Sequence, residues 1–140
     1  MKVVLDTNVL LVSITSKSMY YPVFESFVME EYDLCVTTEI LLEYEEILNR
    51  YVGKSLATDI LSLIQNAPNT VFINRYFEWN LIKIDPDDNK FVDCAIAASA
   101  QLIVTEDRHF DVLRTVPFPK VIISSLEPFI IDTLQKQLNL

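Results

Sequence analysis

Glycine is almost missing: among 140 residues only Gly53 occurs. A G-x-G-x-x-G fingerprint or a Walker A loop needs several glycines so that backbone can close on phosphate, so nucleotide cradling of that kind is excluded. Most Rossmann cofactor chemistry goes with it. Histidine is as scarce, with His109 alone, and the two cysteines, Cys35 and Cys94, sit in apolar runs. They read as reduced core residues and not as a disulfide or a metal pair. No apolar run approaches the ~20 residues that cross a bilayer. Asp6 and Asn8 interrupt the apolar N-terminal stretch, and no small-residue cleavage site follows, which argues against a signal peptide. The expectation is a soluble, cytoplasmic chain with no membrane partner. Positive charge is also short, 11 Lys and Arg against 20 Asp and Glu, for a net charge of −9. That disfavours a nucleic-acid binder held by a basic surface. A carboxylate site that collects divalent ions stays open, because it lowers the formal charge while attracting phosphate.

Apolar residues make up 51% of the chain and aromatic ones 11%, enough to bury a sizeable core in what reads as one domain over residues 1–140. Short apolar runs predict strands at Lys2–Leu5, Asp33–Val36, Thr70–Asn74, Leu102–Thr105 and Val121–Ile123. Helical patterning lies between them: to about Ser13, from Tyr21 to Glu31, from a Thr37 or Thr38 cap to about Tyr51, and over Lys54–Asn66. It returns over about Asn89–Gln101, Phe110–Arg114 and Leu126–Leu138. The strands are solidly apolar instead of alternating, which signals an α/β domain with a central, mostly parallel five-stranded sheet covered on both faces.

Binding sites in such sheets form beyond the carboxyl ends of the strands. Asp6 ends the first strand, and Asp107 lies two residues past the fourth. A charge that directly ends a Val-Val-Leu core strand needs a partner or a metal. In the helix after the second strand, Ile40, Leu41, Tyr44, Ile47, Leu48 and Tyr51 form the apolar face. Glu39 and Glu46 point away from that face, while Glu43 and Glu45 fall on its two edges; patterning does not choose between them. Asp93 sits in an alanine-rich, apolar helix that must pack closely, where a carboxylate is costly unless a metal or a cation faces it. Four acids from four segments could then share one cleft. Carboxylates without histidine or cysteine suit Mg²⁺ or Mn²⁺. His109 itself reads as a solvated loop residue.

The blocks Val-Val-Leu-Asp-Thr-Asn (3–8), Thr-Thr-Glu-Ile-Leu-Leu-Glu-Tyr-Glu-Glu-Ile-Leu (37–48), Asp-Pro-Asp-Asp-Asn-Lys-Phe-Val-Asp-Cys-Ala-Ile-Ala-Ala-Ser-Ala (85–100) and Ile-Val-Thr-Glu-Asp-Arg-His-Phe (103–110) occur in this order. With them the chain resembles the PIN-domain ribonucleases, in particular the bacterial VapC-like toxin components of toxin–antitoxin systems. The resemblance implies a three-layer α/β/α fold and one or two Mg²⁺ or Mn²⁺ ions. It assigns the acidic site to Asp6, Glu43, Asp93 and Asp107, and so favours Glu43 over Glu45. It also makes Thr7 and Asn8 braces for Asp6 and adds Asp88 as a further candidate. The implied reaction is hydrolysis of an RNA phosphodiester by metal-activated water. The implied partners are an RNA substrate, an antitoxin protein and a second copy of the chain, the last also in keeping with an exposed Leu42.

Two rival enzymes lack their signatures. A receiver-type phosphoacceptor needs an acidic pair at the first strand and a lysine ending a late one. A haloacid-dehalogenase-type phosphatase needs an acid where Asn8 stands. The alternative from another class is a catalytically silent PIN-like module that only binds RNA or a protein partner.

Overall fold

The computed structural model describes residues 1–75 and 77–138. Five strands, β1 (Lys2–Leu5), β2 (Asp33–Val36), β3 (Thr70–Phe72), β4 (Leu102–Val104) and β5 (Ile123–Ser124), form one sheet in the order β3-β2-β1-β4-β5. All neighbouring pairs are parallel. Val3, Val4, Leu34, Val36, Ile103 and Val104 are fully buried, as strands covered on both faces must be. The helices are α1 (Thr7–Ser13), α2 (Tyr21–Val28), α3 (Thr38–Val52), α4 (Lys54–Asn66), α5 (Asn89–Ala98) and α6 (Leu126–Pro128). The architecture is three-layer α/β/α. The crossovers β1–β2–β3 step one way across the sheet, and the β3–β4 crossover through α5 steps back. Right-handed connections therefore put α5 on the face opposite α1 to α4.

Local chemistry sets the boundaries. The Thr37 hydroxyl accepts the Ile40 N–H and opens α3, while Gly53, at φ 87°, makes the sharp turn between α3 and α4. Ser99, in the left-handed region at φ 53°, stops α5 at Ala98, three residues before the expected end. Pairing with β4 begins β5 at Ile123, where apolarity alone pointed to Val121. The expected C-terminal helix to Leu138 is instead a short turn at α6 followed by a wide π-helical turn, Phe129–Thr133. Phe129 and Ile130 stay buried, and Gln135, at φ 55°, turns the backbone away from a helical path.

Candidate metal centre

The sheet changes winding direction between β1 and β4, where a crevice opens at the carboxyl ends of the strands. Asp6 continues the β1 ladder there, its N–H donating to the Val104 carbonyl at 3.0 Å. One Asp6 carboxylate oxygen accepts the Thr7 N–H at 2.8 Å, and the other accepts the Thr105 hydroxyl at 2.7 Å. The same hydroxyl accepts the Asp107 N–H at 3.0 Å, and Asp107 in turn accepts the His109 N–H at 2.9 Å, opening a 3-10 turn over Arg108–Thr115. Burial pushes the Asp6 carboxyl above its ordinary value. The Thr105 and Thr7 hydrogen bonds resist, and the charges of Asp107 and Glu43 add to the rise.

Tyr44 decides which glutamate of α3 reaches this crevice. Its ring is fully buried, and its hydroxyl donates to the Leu5 carbonyl at 2.6 Å, which fixes α3 against the end of β1. Glu43, the preceding residue, then accepts the Thr7 hydroxyl and pairs with the Lys90 ammonium at 2.7 Å. Glu45 is exposed, beside Asn49, Lys54 and Thr58. Lys90 also pairs with Asp87 at 2.9 Å. Burial alone would lower the Lys90 pKa, but its hydrogen bonds and charge pairing with Glu43 and Asp87 outweigh that and raise it.

Asp88, at the end of the 3-10 turn Pro86–Asp88, supplies the next acid, with 14% of its side chain exposed. Burial and the charges of Asp85, Asp107 and Asp6 push its carboxyl up to about 7, with His109 opposing. Its Oδ2 is shut off from solvent and has no hydrogen-bond partner among the described residues; the same is true of His109 Nδ1. The His109 ring is thus partly exposed, as a loop histidine would be, but its Nδ1 faces inward. Nδ1 stands 3.5 Å from both Asp88 and Asp107 and 3.9 Å from Asp85. Ligand atoms of Asp85, Asp88 and His109 lie within 4.8 Å of one another. The donor set fits a divalent cation: mutually repelling carboxylates, one buried oxygen without a partner, and oxygen chemistry that hard ions prefer.

Asp93 lines a pocket with Lys90 and Asp87 but is engaged by other partners. Its carboxylate, 1% exposed, lies 3.4 Å from the Arg75 guanidinium and accepts the Trp79 N–H at 3.1 Å. Arg75 also pairs with Glu39 at 2.9 Å and Glu78 at 3.2 Å. Burial raises the Asp93 pKa, with the Trp79 N–H and Arg75 opposing. Among the described residues, none of its hydrogen-bond or ion-pair partners is shared with Asp6, Glu43 or Asp107. The cause is local: Asp93 lies nearly one helical turn beyond Lys90, about 4.5 Å further along α5, where the segment after β3 brings a guanidinium and a free N–H. The cation that sequence reasoning weighed against a metal for Asp93 is present, and it is Arg75. Of the two expected braces, Thr7 contacts both Asp6 and Glu43, while Asn8 is exposed. Thr105 carried one legible signal, a hydroxyl ending an apolar strand two residues before an acid.

A family model described as "PIN domain" matches residues 2–109. Among solved structures, a VapBC2 complex from Rickettsia felis bound to a promoter DNA fragment is similar, with a TM-score of 0.62 at 17% identity over 89% of this chain and 98% of that one. A DNA-bound VapBC from Salmonella typhimurium gives 0.60 at 15% identity, over 90% and 98%. VapC20 of Mycobacterium tuberculosis, a toxin that cleaves the sarcin-ricin loop, gives 0.57 at 11% identity, over 85% and 98%. At these identities the likeness is one of fold. No curated protein matches the chain in sequence.

Proposed function

The chain belongs to the PIN domain family, and from that premise we propose that it is a divalent-metal-dependent endoribonuclease acting as the toxin of a toxin–antitoxin pair. The observation that supports the reading is the grouping of Asp85, Asp88 and His109 ligand atoms within 4.8 Å, with Asp6 and Asp107 near enough for their charges to raise the Asp88 carboxyl. Asp6, Asp88 and Asp107 would hold Mg²⁺ or Mn²⁺, with Glu43 as a further oxygen donor beside Asp6. When bound, the ion supplies Lewis acidity, which acidifies water and offsets phosphate charge. The chain's own residues prepare the site for it. Thr105 and Thr7 fix the Asp6 carboxylate, so its orientation is set before any ligand arrives. Lys90 holds Glu43 in place and leaves a positive charge beside the carboxylates, where a phosphodiester would meet it. Asp93, held by Arg75 and the Trp79 N–H, would fasten the segment after β3 to α5.

The whole of residues 1–140 is read as one domain working in the cytoplasm. No helix among the described residues is long and apolar enough to cross a membrane. The antitoxin partner is carried over from the VapBC relatives, and a second copy could use the exposed Leu42. The test is incubation of end-labelled single-stranded RNA with purified protein in Mn²⁺, Mg²⁺ or EDTA. Cleavage in either metal, leaving 5′-phosphate and 3′-hydroxyl ends, is expected. Cleavage in EDTA, or 2′,3′-cyclic phosphate ends from attack by the RNA's own hydroxyl, would overturn the reading. Metal binding with no cleavage of any RNA would favour a silent binding module.

A further inference from the structure

We propose that His109 is a metal ligand, and that its nitrogen makes this centre favour transition ions over Mg²⁺, Co²⁺ more than Mn²⁺. The inference rests on the proposed metal site and deepens it. Three observations support it, and the first is placement. The 3-10 turn opened by Asp107 carries the His109 ring back over the acids, so Nδ1 faces Asp88, Asp107 and Asp85 at 3.5, 3.5 and 3.9 Å. The second is an unmet need. Nδ1 and Asp88 Oδ2 are both closed to solvent and face each other at 3.5 Å, too long for a good hydrogen bond, with no other partner among the described residues. A pair of orphaned buried atoms is costly unless something bridges them. The third is spacing. Ligand atoms of Asp85, Asp88 and His109 fall within 4.8 Å of one another. Bonds of about 2.1 Å to one ion need ligand atoms roughly 3–4 Å apart, so a contraction of at most about 1–2 Å closes the site.

The rival explanation is that His109 is an imidazolium that neutralises the acids. The two make opposite statements about the ring. A ligand must offer the Nδ1 lone pair, with the proton on Nε2 on the exposed side; a counter-ion carries protons on both nitrogens and competes with metal. Mg²⁺ favours oxygen and binds imidazole poorly, whereas affinity for a mixed nitrogen and oxygen site rises from Mn²⁺ to Co²⁺. A histidine ligand therefore leaves a signature in metal preference that a counter-ion does not.

Calorimetric titration of the full-length, metal-stripped, untagged chain with MgCl₂, MnCl₂ and CoCl₂ at pH 7.5 tests this. The visible absorption of bound Co²⁺ gives a second readout that does not depend on activity. The wild type is expected to bind Co²⁺ and Mn²⁺ more tightly than Mg²⁺. His109→Ala and His109→Gln should lose about tenfold or more in Co²⁺ affinity, shift the Co²⁺ spectrum, and keep Mg²⁺ affinity within about twofold. Both variants are to be checked for native circular dichroism; because the ring is partly exposed, at least the Gln variant is expected to fold. If both variants bind Co²⁺ as tightly as the wild type, or more tightly, His109 is a counter-ion and the inference fails. Asp6→Asn separates this from the parent reading: it should weaken every ion, and if the wild type binds none of the three, both proposals fall together.

Discussion

The Thr105 hydroxyl donates to the Asp6 carboxylate at 2.7 Å and accepts the Asp107 N–H at 3.0 Å. One buried hydroxyl thus couples the residue that ends β1 to the loop that leaves β4. Thr105→Val keeps the shape and removes both bonds, leaving the Asp6 carboxylate with the Thr7 N–H as its one remaining hydrogen bond among the described residues. The expected cost is about 1–3 kcal/mol of stability, read by urea denaturation in metal-free buffer at pH 7, together with weaker Mn²⁺ binding. Thr105→Ser should recover most of both. A Val variant as stable as the wild type would mean that the hydroxyl holds nothing.

Crowded carboxylates also set a pH dependence. Asp88 is pushed up to about 7 and Asp6 is raised as well, so the folded state holds protons that the unfolded chain has released. Where the folded state binds more protons, stability falls as pH rises, here between about pH 4 and pH 7 in metal-free buffer. Asp88→Asn removes much of that loss. Its melting temperature should exceed that of the wild type by several degrees at pH 8, about 1–3 kcal/mol, and by little at pH 4. A difference between the two proteins that does not change with pH would contradict the strain. Saturating Mn²⁺ should narrow the gap by stabilising the wild type.

Lys90 is the one cation bonded directly to the acids of this crevice among the described residues, pairing with Glu43 at 2.7 Å and Asp87 at 2.9 Å with 9% of its side chain exposed. Lys90→Met leaves Glu43 partly buried without its counter-charge, and should cost about 2–4 kcal/mol. Adding Glu43→Gln should return a good part of this, since the uncompensated charge is then gone. A double-mutant cycle from denaturation curves measures the coupling. Strictly additive effects would mean that the pair contributes nothing beyond its separate members.

The Asp93–Arg75 pair separates a fastening role from a ligand role. Asp93→Asn and Arg75→Met should each lower stability by about 1–3 kcal/mol, because each leaves a buried or half-buried partner unsatisfied. Neither should change Mn²⁺ affinity more than about twofold. Calorimetry of the folded Asp93→Asn protein decides the matter. Loss of Mn²⁺ binding there would return Asp93 to the metal centre.

The parallel sheet was readable in the sequence because its strands are unbroken apolar runs, and Asp6 and Asp107 were readable because they directly follow two of them. Glu43 was only half readable. Helical periodicity leaves Glu43 and Glu45 as equal edges, and the choice comes from the Tyr44 hydroxyl reaching the Leu5 carbonyl, a contact between residues 39 positions apart. Asp93 was half readable in the same way. Its apolar helix demanded a partner for the charge, but the sequence does not say that Arg75, 18 residues earlier, arrives to provide it. His109 looked like a loop residue because nothing local shows that the turn after Asp107 folds back over Asp85 and Asp88.

The most direct test of the central claim is RNA cleavage by wild type, Asp6→Asn, Asp88→Asn and Asp93→Asn, purified in parallel and assayed in Mn²⁺ and in EDTA. The wild type should cut single-stranded RNA in Mn²⁺ and stop in EDTA. Asp6→Asn and Asp88→Asn should lose about a hundredfold or more in rate while staying folded. Asp93→Asn, assayed well below its melting temperature, should keep most of the activity. Cleavage that survives EDTA, or an Asp6→Asn protein as active as the wild type, would contradict the account.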